Sequence, residues 1–146
     1  MRMKTLGYYD ELENMMVPFD DRVCFFGDGV YDAGPARNYH MFAIDEHIDR
    51  FFNSAKLMDI EIPCSKEELK ELLASLVLKM DTGNNFVYWA CTRGTGIRNH
   101  VYKKGPGNLW VMIKPETLDT CQKPIKCVTQ EDKRFFYCNC KTLNLM

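Results

Sequence analysis

The sequence predicts an α+β fold with an antiparallel sheet and two helices, followed by further short strands near the C-terminal end. Short β-type runs fill the first third of the chain, two segments with apolar residues at steps of three and four follow, and strand-like runs return after them. A chain of 146 residues can bury one core but not two complete domains.

Three short runs in the first third are predicted strands of an antiparallel meander, because aromatic and β-branched residues dominate them. These runs are Val23–Phe26, Val30–Ala33 and Tyr39–Ile44. Gly27-x-Gly29 is too short to be a dinucleotide-binding fingerprint, and it lies between predicted strands instead of opening a helix. We therefore interpret this pair of glycines as a tight hairpin between the first two strands.

Two amphipathic helices are predicted next. Asp45 stands where the N-cap of the first helix belongs, with Glu46 in the first turn. The apolar face of this helix comprises Ile48, Phe51, Phe52, Ala55 and Met58. Ser65 and Glu68 have the spacing of a capping box and start the second helix. Its predicted buried residues are Leu69, Leu72, Leu73, Leu76, Val77 and Met80.

Two more strands are predicted at Phe86–Thr92 and Leu109–Lys114, separated by the polar loop Arg93–Gly107. Loops of this length are commonly functional. Further strands are predicted near Ile125–Thr129 and Arg134–Cys138. The expected organisation is a small α/β domain at 1–114, a linker at 115–123 and a further segment with strands at 124–146.

Composition excludes several classes of function. The chain has 19 basic and 20 acidic residues and a net charge of -1, so we expect no nucleic-acid partner. No apolar stretch approaches the roughly 20 residues that span a bilayer, so we expect no membrane association. Seven scattered cysteines, an odd number, favour a reduced cytoplasmic protein.

Taken one at a time, the polar residues and cysteines do not identify a functional site. Cys138 and Cys140 share a face if they lie on a strand, and Cys121 or Cys127 could complete a zinc site, but no second closely spaced pair exists. Buried cysteines that act as small apolar residues are the favoured alternative, and we expect no metal. Isolated arginines and lysines usually do no more than contact solvent.

In combination, the motifs are specific. They occur in the order Phe25-Phe26-Gly27-Asp28-Gly29-Val30-Tyr31-Asp32, Glu46-His47-Ile48-Asp49-Arg50, Thr92-Arg93-Gly94, Arg98-x-His100 and Lys141-Thr142-Leu143-Asn144-Leu145. This series resembles the class IV (fold-type IV) pyridoxal phosphate-dependent aminotransferases, and within them the D-amino acid aminotransferases. The resemblance extends along nearly the whole chain.

The resemblance implies a cofactor, pyridoxal 5′-phosphate, and three residues that bind it. Lys141 would form the internal aldimine and then move a proton between the substrate and the coenzyme. Arg50 would bind the cofactor phosphate, and Arg134 would lie near its phenolic oxygen. Family members carry the acidic partner of the pyridine nitrogen and a phosphate-binding helix in a second domain, which would lie beyond Met146. The resemblance thus implies a small N-terminal domain at 1–114 and, at 124–146, the first strands of a truncated second domain, the larger one that binds the cofactor. The chain alone is therefore expected to be incomplete and inactive.

The resemblance also implies the substrates. Tyr31, Arg98 and His100 would bind the substrate α-carboxylate, with the loop that carries Arg98 and His100 contributed by the other subunit of a homodimer with a shared active site. The implied reaction is transamination between D-amino acids such as D-alanine and 2-oxo acids such as 2-oxoglutarate. Alternatives within the family are aminodeoxychorismate lyase and branched-chain aminotransferase. An alternative from another class is a non-catalytic dimerising fragment.

Overall fold

The computed structural model describes residues 6–7, 12–117, 124–131 and 138–144. A single 3-10 turn at Leu12–Asn14 precedes the first helix. The strands and helices are β1 (Leu6–Gly7), α1 (Arg22–Phe26), β2 (Gly29–Arg37), β3 (His40–Met41), α2 (Ile44–Leu57), α3 (Lys66–Val77), β4 (Asn85–Thr92) and β5 (Asn108–Pro115).

The five strands form one sheet in the order β1-β5-β4-β2-β3, and every neighbouring pair is antiparallel. The two long helices come between β3 and β4 in the chain, so that β2 pairs with β4 across that insertion. The predicted α+β class, with an antiparallel sheet and two helices, is confirmed. Of the predicted meander in the first third, only the short hairpin of β2 and β3 forms.

The core lies between one face of the sheet and the two long helices. Successive residues of a strand point to opposite faces, and the residues of β2 that are fully buried towards the helices alternate with partly exposed ones. Phe51 of α2 meets Trp89 of β4 edge to face, with ring centroids 6.2 Å apart. The remaining large core residues include Val30, Leu69, Leu73, Leu76, Val77, Met80, Val87 and Ile113.

Both long helices form where the sequence predicts them. Ser65 is the N-cap of α3 and forms the predicted capping box with Glu68. The predicted start of α2 was wrong: its N-cap is Ala43, in the left-handed conformation and without a side-chain cap. Asp45 lies inside the first turn and forms an ion pair with Lys70 of α3.

The predicted strand at Val23–Phe26 was wrong, because these residues belong to helix α1. Asp21 caps the first turn by accepting a hydrogen bond from the Val23 amide at 2.9 Å. Gly27 ends the helix with φ +59°, so it is a C-cap and not part of a hairpin. The two caps satisfy the terminal backbone groups of the turn and outweigh the β preference of the residues between them.

The predicted strand at Tyr39–Ile44 is also mostly wrong. Only His40–Met41 pairs with β2, through Arg37 and Ala36. Asn38, Tyr39 and Ala43 all have positive φ, which is incompatible with an extended strand. As a result, β3 covers only the C-terminal end of β2.

The predicted strands of the second domain find no support. Residues 124–131 contain no helix or strand, so the prediction at Ile125–Thr129 was wrong; the side chains of Ile125 and Val128 are exposed. Most of the predicted strand at Arg134–Cys138, and positions 118–123 of the predicted linker, lie outside the described residues. None of the helices in the described ranges has the length and apolar character needed to cross a membrane.

Removal of the α3 cap tests the role of the capping box. We expect Ser65→Ala to lower the free energy of unfolding by about 1 kcal/mol, because a terminal amide of the helix loses its acceptor. Urea unfolding monitored by circular dichroism measures this change. The control is Ser75→Ala on the exposed face of the same helix, for which we expect a change below about 0.5 kcal/mol. Equal effects of the two substitutions would contradict the assignment.

Candidate active site

The N-terminal half of β2 has one edge that β3 leaves uncovered, and residues 141–143 occupy it. The Tyr31 amide donates to the Lys141 carbonyl at 3.1 Å, and the Leu143 amide donates to the Gly29 carbonyl at 2.9 Å. Thr142 lies opposite Val30 in an antiparallel bridge. Backbone pairing with β2 therefore fixes the position of the lysine.

Helix α2 holds the same segment from a second side. The Lys141 amide donates to Oγ of Ser54 at 3.0 Å. The neighbouring residue, Cys140, is buried and directs its Sγ to the Ser54 carbonyl at 3.5 Å. Lys141 thus lies between the edge of the sheet and one turn of α2.

The side chain of Lys141 lies over an aromatic ring. Its Nζ is 4.1 Å from the centroid of the Tyr31 ring, a favourable cation-π distance. Tyr31 stacks on Tyr88 of β4 at 5.5 Å, and burial raises the pKa of Tyr88. Within the described ranges, no hydrogen bond or ion pair involves Nζ of Lys141. The amine is held in place without a carboxylate partner in this part of the chain.

On the helix-facing side of β2, the adjacent residue Asp32 binds Arg50. Nε and Nη2 of Arg50 donate to the two carboxylate oxygens of Asp32, both at 2.7 Å. Asp32 is completely buried, whereas the Arg50 side chain is 49% exposed. Burial alone would raise the pKa of Asp32, but hydrogen bonds from Arg50, His47 and the Ala33 amide outweigh it and lower the pKa. The carboxylate in turn raises the pKa of Arg50.

His47 is the third member of this cluster. Its Nδ1 lies 2.8 Å from Oδ1 of Asp32 and 3.2 Å from Nη2 of Arg50. An ionised carboxylate only accepts hydrogen bonds, so Nδ1 must carry the proton and donate to Asp32. The contact with Arg50 is then a close approach of two donors. The imidazole also packs against Gly34, where a Cβ would lie 2.9 Å from Nε2.

A second buried carboxylate anchors the long loop after β4. Arg22 and Arg93 donate through Nε to Oδ2 of Asp28 at 2.8 and 2.9 Å. Burial opposes ionisation of Asp28, but the two guanidinium groups lower its pKa. Arg93 also donates to the carbonyls of Met58 and Asp59, both at 2.7 Å. The first residue of the loop is therefore tied to α1 and to the end of α2.

Arg98 and His100 lie in this loop, beside Phe26 of α1. The guanidinium of Arg98 is 5.3 Å from the centroid of the Phe26 ring, and the His100 ring is 5.6 Å from the same ring. Arg98 also lines a cavity of about 400 Å³. In the part of the chain that the structure describes, no hydrogen bond or ring contact joins either residue to Tyr31 or Lys141.

The structure thus places three of the six predicted site residues at β2. Lys141 contacts Tyr31 directly, and Arg50 is held by the next residue of the strand, Asp32. Arg134 lies outside the described residues. The sequence interpretation missed Asp32, His47 and Ser54. A signal for two of them was present: Asp32 falls on the buried side of an apolar strand, and Ser54 interrupts the buried stripe of α2.

Of the cysteines considered for a zinc site, Cys121 lies outside the described residues, and Cys138 and Cys140 lie in a turn and not on a strand. Cys138 is exposed and Cys140 is buried, so the two thiols do not share a face as they would on a strand. Burial raises the pKa of Cys140, which is the behaviour of a small apolar side chain. Among the described residues, no group of three or more His, Cys, Asp and Glu could hold a metal ion.

The sequence is similar to known enzymes along its whole length. It is 36% identical to the D-alanine aminotransferase of Listeria monocytogenes over 152 aligned positions, which cover 100% of this chain and 53% of that protein. It is 31% identical to the D-alanine aminotransferase of Staphylococcus epidermidis, with 96% and 51% coverage. The chain spans about half the length of the curated relatives it matches.

Solved structures share the fold. A branched-chain amino acid aminotransferase from Escherichia coli matches with a TM-score of 0.63 at 18% identity, over 77% of this chain and 40% of that one. A fold IV-transaminase from Curtobacterium pusillum matches with a TM-score of 0.59 at 25% identity, over 77% and 38% of the two chains.

The family model of class IV amino-transferases matches residues 29–146. The matched region contains β2, α2 and the segment that carries Lys141, so it includes the cluster described above. This chain belongs to the class IV aminotransferase family.

Proposed function

We propose that the protein is a pyridoxal 5′-phosphate-dependent transaminase that acts between D-amino acids such as D-alanine and 2-oxo acids such as 2-oxoglutarate. The observation that carries this proposal is the placement of Lys141 and Arg50, which are both held by β2 and α2. A primary amine and a guanidinium on one rigid support suit a ligand that has an aldehyde and a phosphate.

The chemistry of Arg50 fits a phosphate. A guanidinium has five N–H donors, and Asp32 takes the edge formed by Nε and Nη2. Both donors of Nη1 and one of Nη2 are not used by Asp32, and one donor from each of these nitrogens lies on the outer edge of this half-exposed side chain. Two donors at that edge match the geometry of a phosphate better than the point charge of a lysine does. We assign this outer edge to the cofactor phosphate.

Lys141 supplies the reactive amine. Pyridoxal 5′-phosphate, when bound, acts as an electron sink that makes the α-proton of an amino acid removable. Nζ of Lys141 lies 4.1 Å from the Tyr31 ring centroid, and the paired backbone of residues 141–143 limits where it can move. This arrangement lets the amine reach the coenzyme and carry a proton to or from one side of the substrate.

The substrate carboxylate needs cations that Lys141 and Arg50 do not provide. We assign it to Tyr31 together with Arg98 and His100 of a second copy of the chain. Support comes from the loop itself, because Ile97 is 94% exposed and Val101 78% exposed on either side of Arg98 and His100. Exposed apolar residues that flank two hydrogen-bonding side chains are suited to a protein interface. The proposed assembly is a homodimer with a shared active site.

Two further points favour the D-amino acid assignment over a branched-chain aminotransferase or an aminodeoxychorismate lyase. The curated relatives at 31–36% identity are D-alanine aminotransferases, whereas the branched-chain enzyme above is 18% identical and supports only the fold. The Arg98-x-His100 pair is suited to a carboxylate. Two expectations from the sequence also belong to this proposal. One is the cytoplasmic location expected from the cysteines, and the other is the action of Arg134 near the cofactor.

Replacement of Lys141 tests the proposal directly. In the full-length protein, we expect D-alanine but not L-alanine to change the visible absorption of the bound coenzyme. Lys141→Ala should abolish turnover and the covalent attachment of the coenzyme, because no other amine takes its place. Borohydride reduction and peptide mapping give the site of attachment, and Lys126→Ala is the control. A label on another lysine, or selectivity for L-alanine, would refute the proposal.

A second test concerns substrate binding. We expect Arg98→Ala to lower kcat/KM for D-alanine about 10- to 100-fold, the loss that corresponds to one hydrogen bond to a charged group. Lys103→Ala is a matched control, because Lys103 lines the same cavity and has no assigned role. Steady-state kinetics measures both variants, and analytical ultracentrifugation measures dimerisation. Unchanged turnover of D-alanine by a folded Arg98→Ala dimer would contradict the assignment.

A third test concerns the ion pair that supports Arg50. The pKa of Asp32 is lowered in the folded protein, so its contribution to stability is present above about pH 4, the ordinary pKa of Asp. It is lost as the pH falls through the lower pKa of the folded state. At pH 7 we expect Asp32→Asn to reduce the free energy of unfolding by about 1–3 kcal/mol. This is less than the usual loss for a broken buried ion pair, because the Arg50 side chain is half-exposed.

Urea unfolding at several pH values measures this effect. The difference in the free energy of unfolding between wild type and Asp32→Asn should shrink as the pH falls below about 4 and through the lowered pKa of Asp32, because the wild-type carboxylate then becomes protonated. The control is Asp45→Asn, which removes one partner of an exposed ion pair and should change stability by less than about 1 kcal/mol. A pH-independent difference for Asp32→Asn would show that the buried charge has no part in it.

A further inference from the structure

We infer that Ser54 is the positioning residue that sets the main chain of Lys141 for reaction with an aldehyde. The inference rests on the proposed function, since it concerns the covalent attachment of the coenzyme to Lys141. It goes beyond that function because it assigns a role to a residue of α2 outside the groups proposed to contact coenzyme or substrate.

The peptide groups of Lys141 are held on both sides. Its carbonyl accepts from the Tyr31 amide at 3.1 Å, and its amide donates to Oγ of Ser54 at 3.0 Å. The contacts to β2 are between backbone atoms, which any sequence could make. Among the described residues, the Ser54 contact is the one hydrogen bond by which a side chain holds the Lys141 backbone. The orientation of the lysine therefore depends on the identity of residue 54.

The environment of Ser54 indicates that its hydroxyl is needed for a hydrogen bond. The residue is fully buried in α2, next to the buried Ala55. Serine is less favourable than alanine inside a helix, because its hydroxyl competes for backbone hydrogen bonds. A buried hydroxyl without a partner is also destabilising. The contact with Lys141 gives the hydroxyl a partner that alanine could not replace.

Ser54 also links the two proposed cofactor-binding groups. It lies four residues after Arg50, so the two are neighbours on one face of α2 and are separated by about 6 Å along the helix axis. Arg50 is fixed by Asp32, and the Lys141 backbone is fixed by Ser54. One rigid helical turn thereby sets the distance between the phosphate-binding group and the amine. Without the Ser54 bond, Arg50 would still bind the phosphate, but the amine would be less often in place.

The covalent step would be the condensation of an amine with an aldehyde, which releases one water. The lysine nitrogen, as the neutral amine, bonds to the aldehyde carbon, and the aldehyde oxygen leaves as one water that takes both amine protons. No oxidant or reductant is needed. A change that displaces the Lys141 backbone should lower the fraction of bound coenzyme attached to the lysine and leave binding through the phosphate largely intact.

The test uses Ser54→Ala in the full-length protein with pyridoxal 5′-phosphate. Equilibrium dialysis gives the total bound coenzyme, and borohydride trapping with peptide mapping gives the fraction attached to Lys141. We expect total binding to stay within twofold of wild type and the attached fraction to fall five- to tenfold. Ser54→Cys fills nearly the same space with a weaker hydrogen-bond acceptor. It should show the same loss, and it decides the question if Ser54→Ala does not fold.

Ser75→Ala is the matched control, because it removes a helical serine hydroxyl that bonds within its own helix. It should leave both quantities unchanged. Wild-type levels of attachment in Ser54→Ala and Ser54→Cys would overturn the inference, as would equal losses of total binding and attachment. An absence of label on Lys141 in the wild type would overturn the proposed function itself, so the two failures are distinguishable.

Discussion

The uncovered edge of β2 is the constraint on which the site depends. β2 pairs with β4 along nearly its whole length but with β3 only at Ala36 and Arg37. Unpaired backbone groups at a strand edge need partners, and residues 141–143 supply them from a distant part of the chain. The strand thereby brings Lys141 beside Tyr31 on one face, while the next residue, Asp32, points to the opposite face and holds Arg50.

Helix α2 converts this edge into a defined site. Its apolar stripe packs against the sheet through Ile48, Phe51 and Ala55. The same orientation turns Arg50 and Ser54 towards β2 and the lysine segment. Polar contacts in a buried setting need complete pairing, and Asp32 meets that requirement with donors from Arg50, His47 and Ala33. The residues that shape the site are therefore also residues that stabilise the domain.

The parts of the fold that depend on periodicity were predictable from the sequence. The two long helices follow from the spacing of apolar residues, the capping box from the spacing of Ser65 and Glu68, and the strands β4 and β5 from runs of strand-forming residues. The errors arose where backbone geometry overrides side-chain preference, as at Gly27 and at Asn38, Tyr39 and Ala43 with their positive φ. Of the site, the motifs indicated Tyr31, Arg50 and Lys141. Periodicity places Ser54 and Asp32 on buried faces, but it does not give their partners, which come from distant parts of the chain.

Gly27, in the first sequence motif, leaves space for the side chain of Asn144, in the last motif. Its carbonyl accepts a hydrogen bond from Nδ2 of Asn144 at 3.2 Å, and a Cβ at this position would overlap the Asn144 side chain. Gly29 is in a similar position beneath Leu143. A larger residue at Gly27 or Gly29 would have to displace the side chain of Asn144 or Leu143. The choice of residue at these two positions is therefore coupled to side chains more than a hundred positions away in the chain.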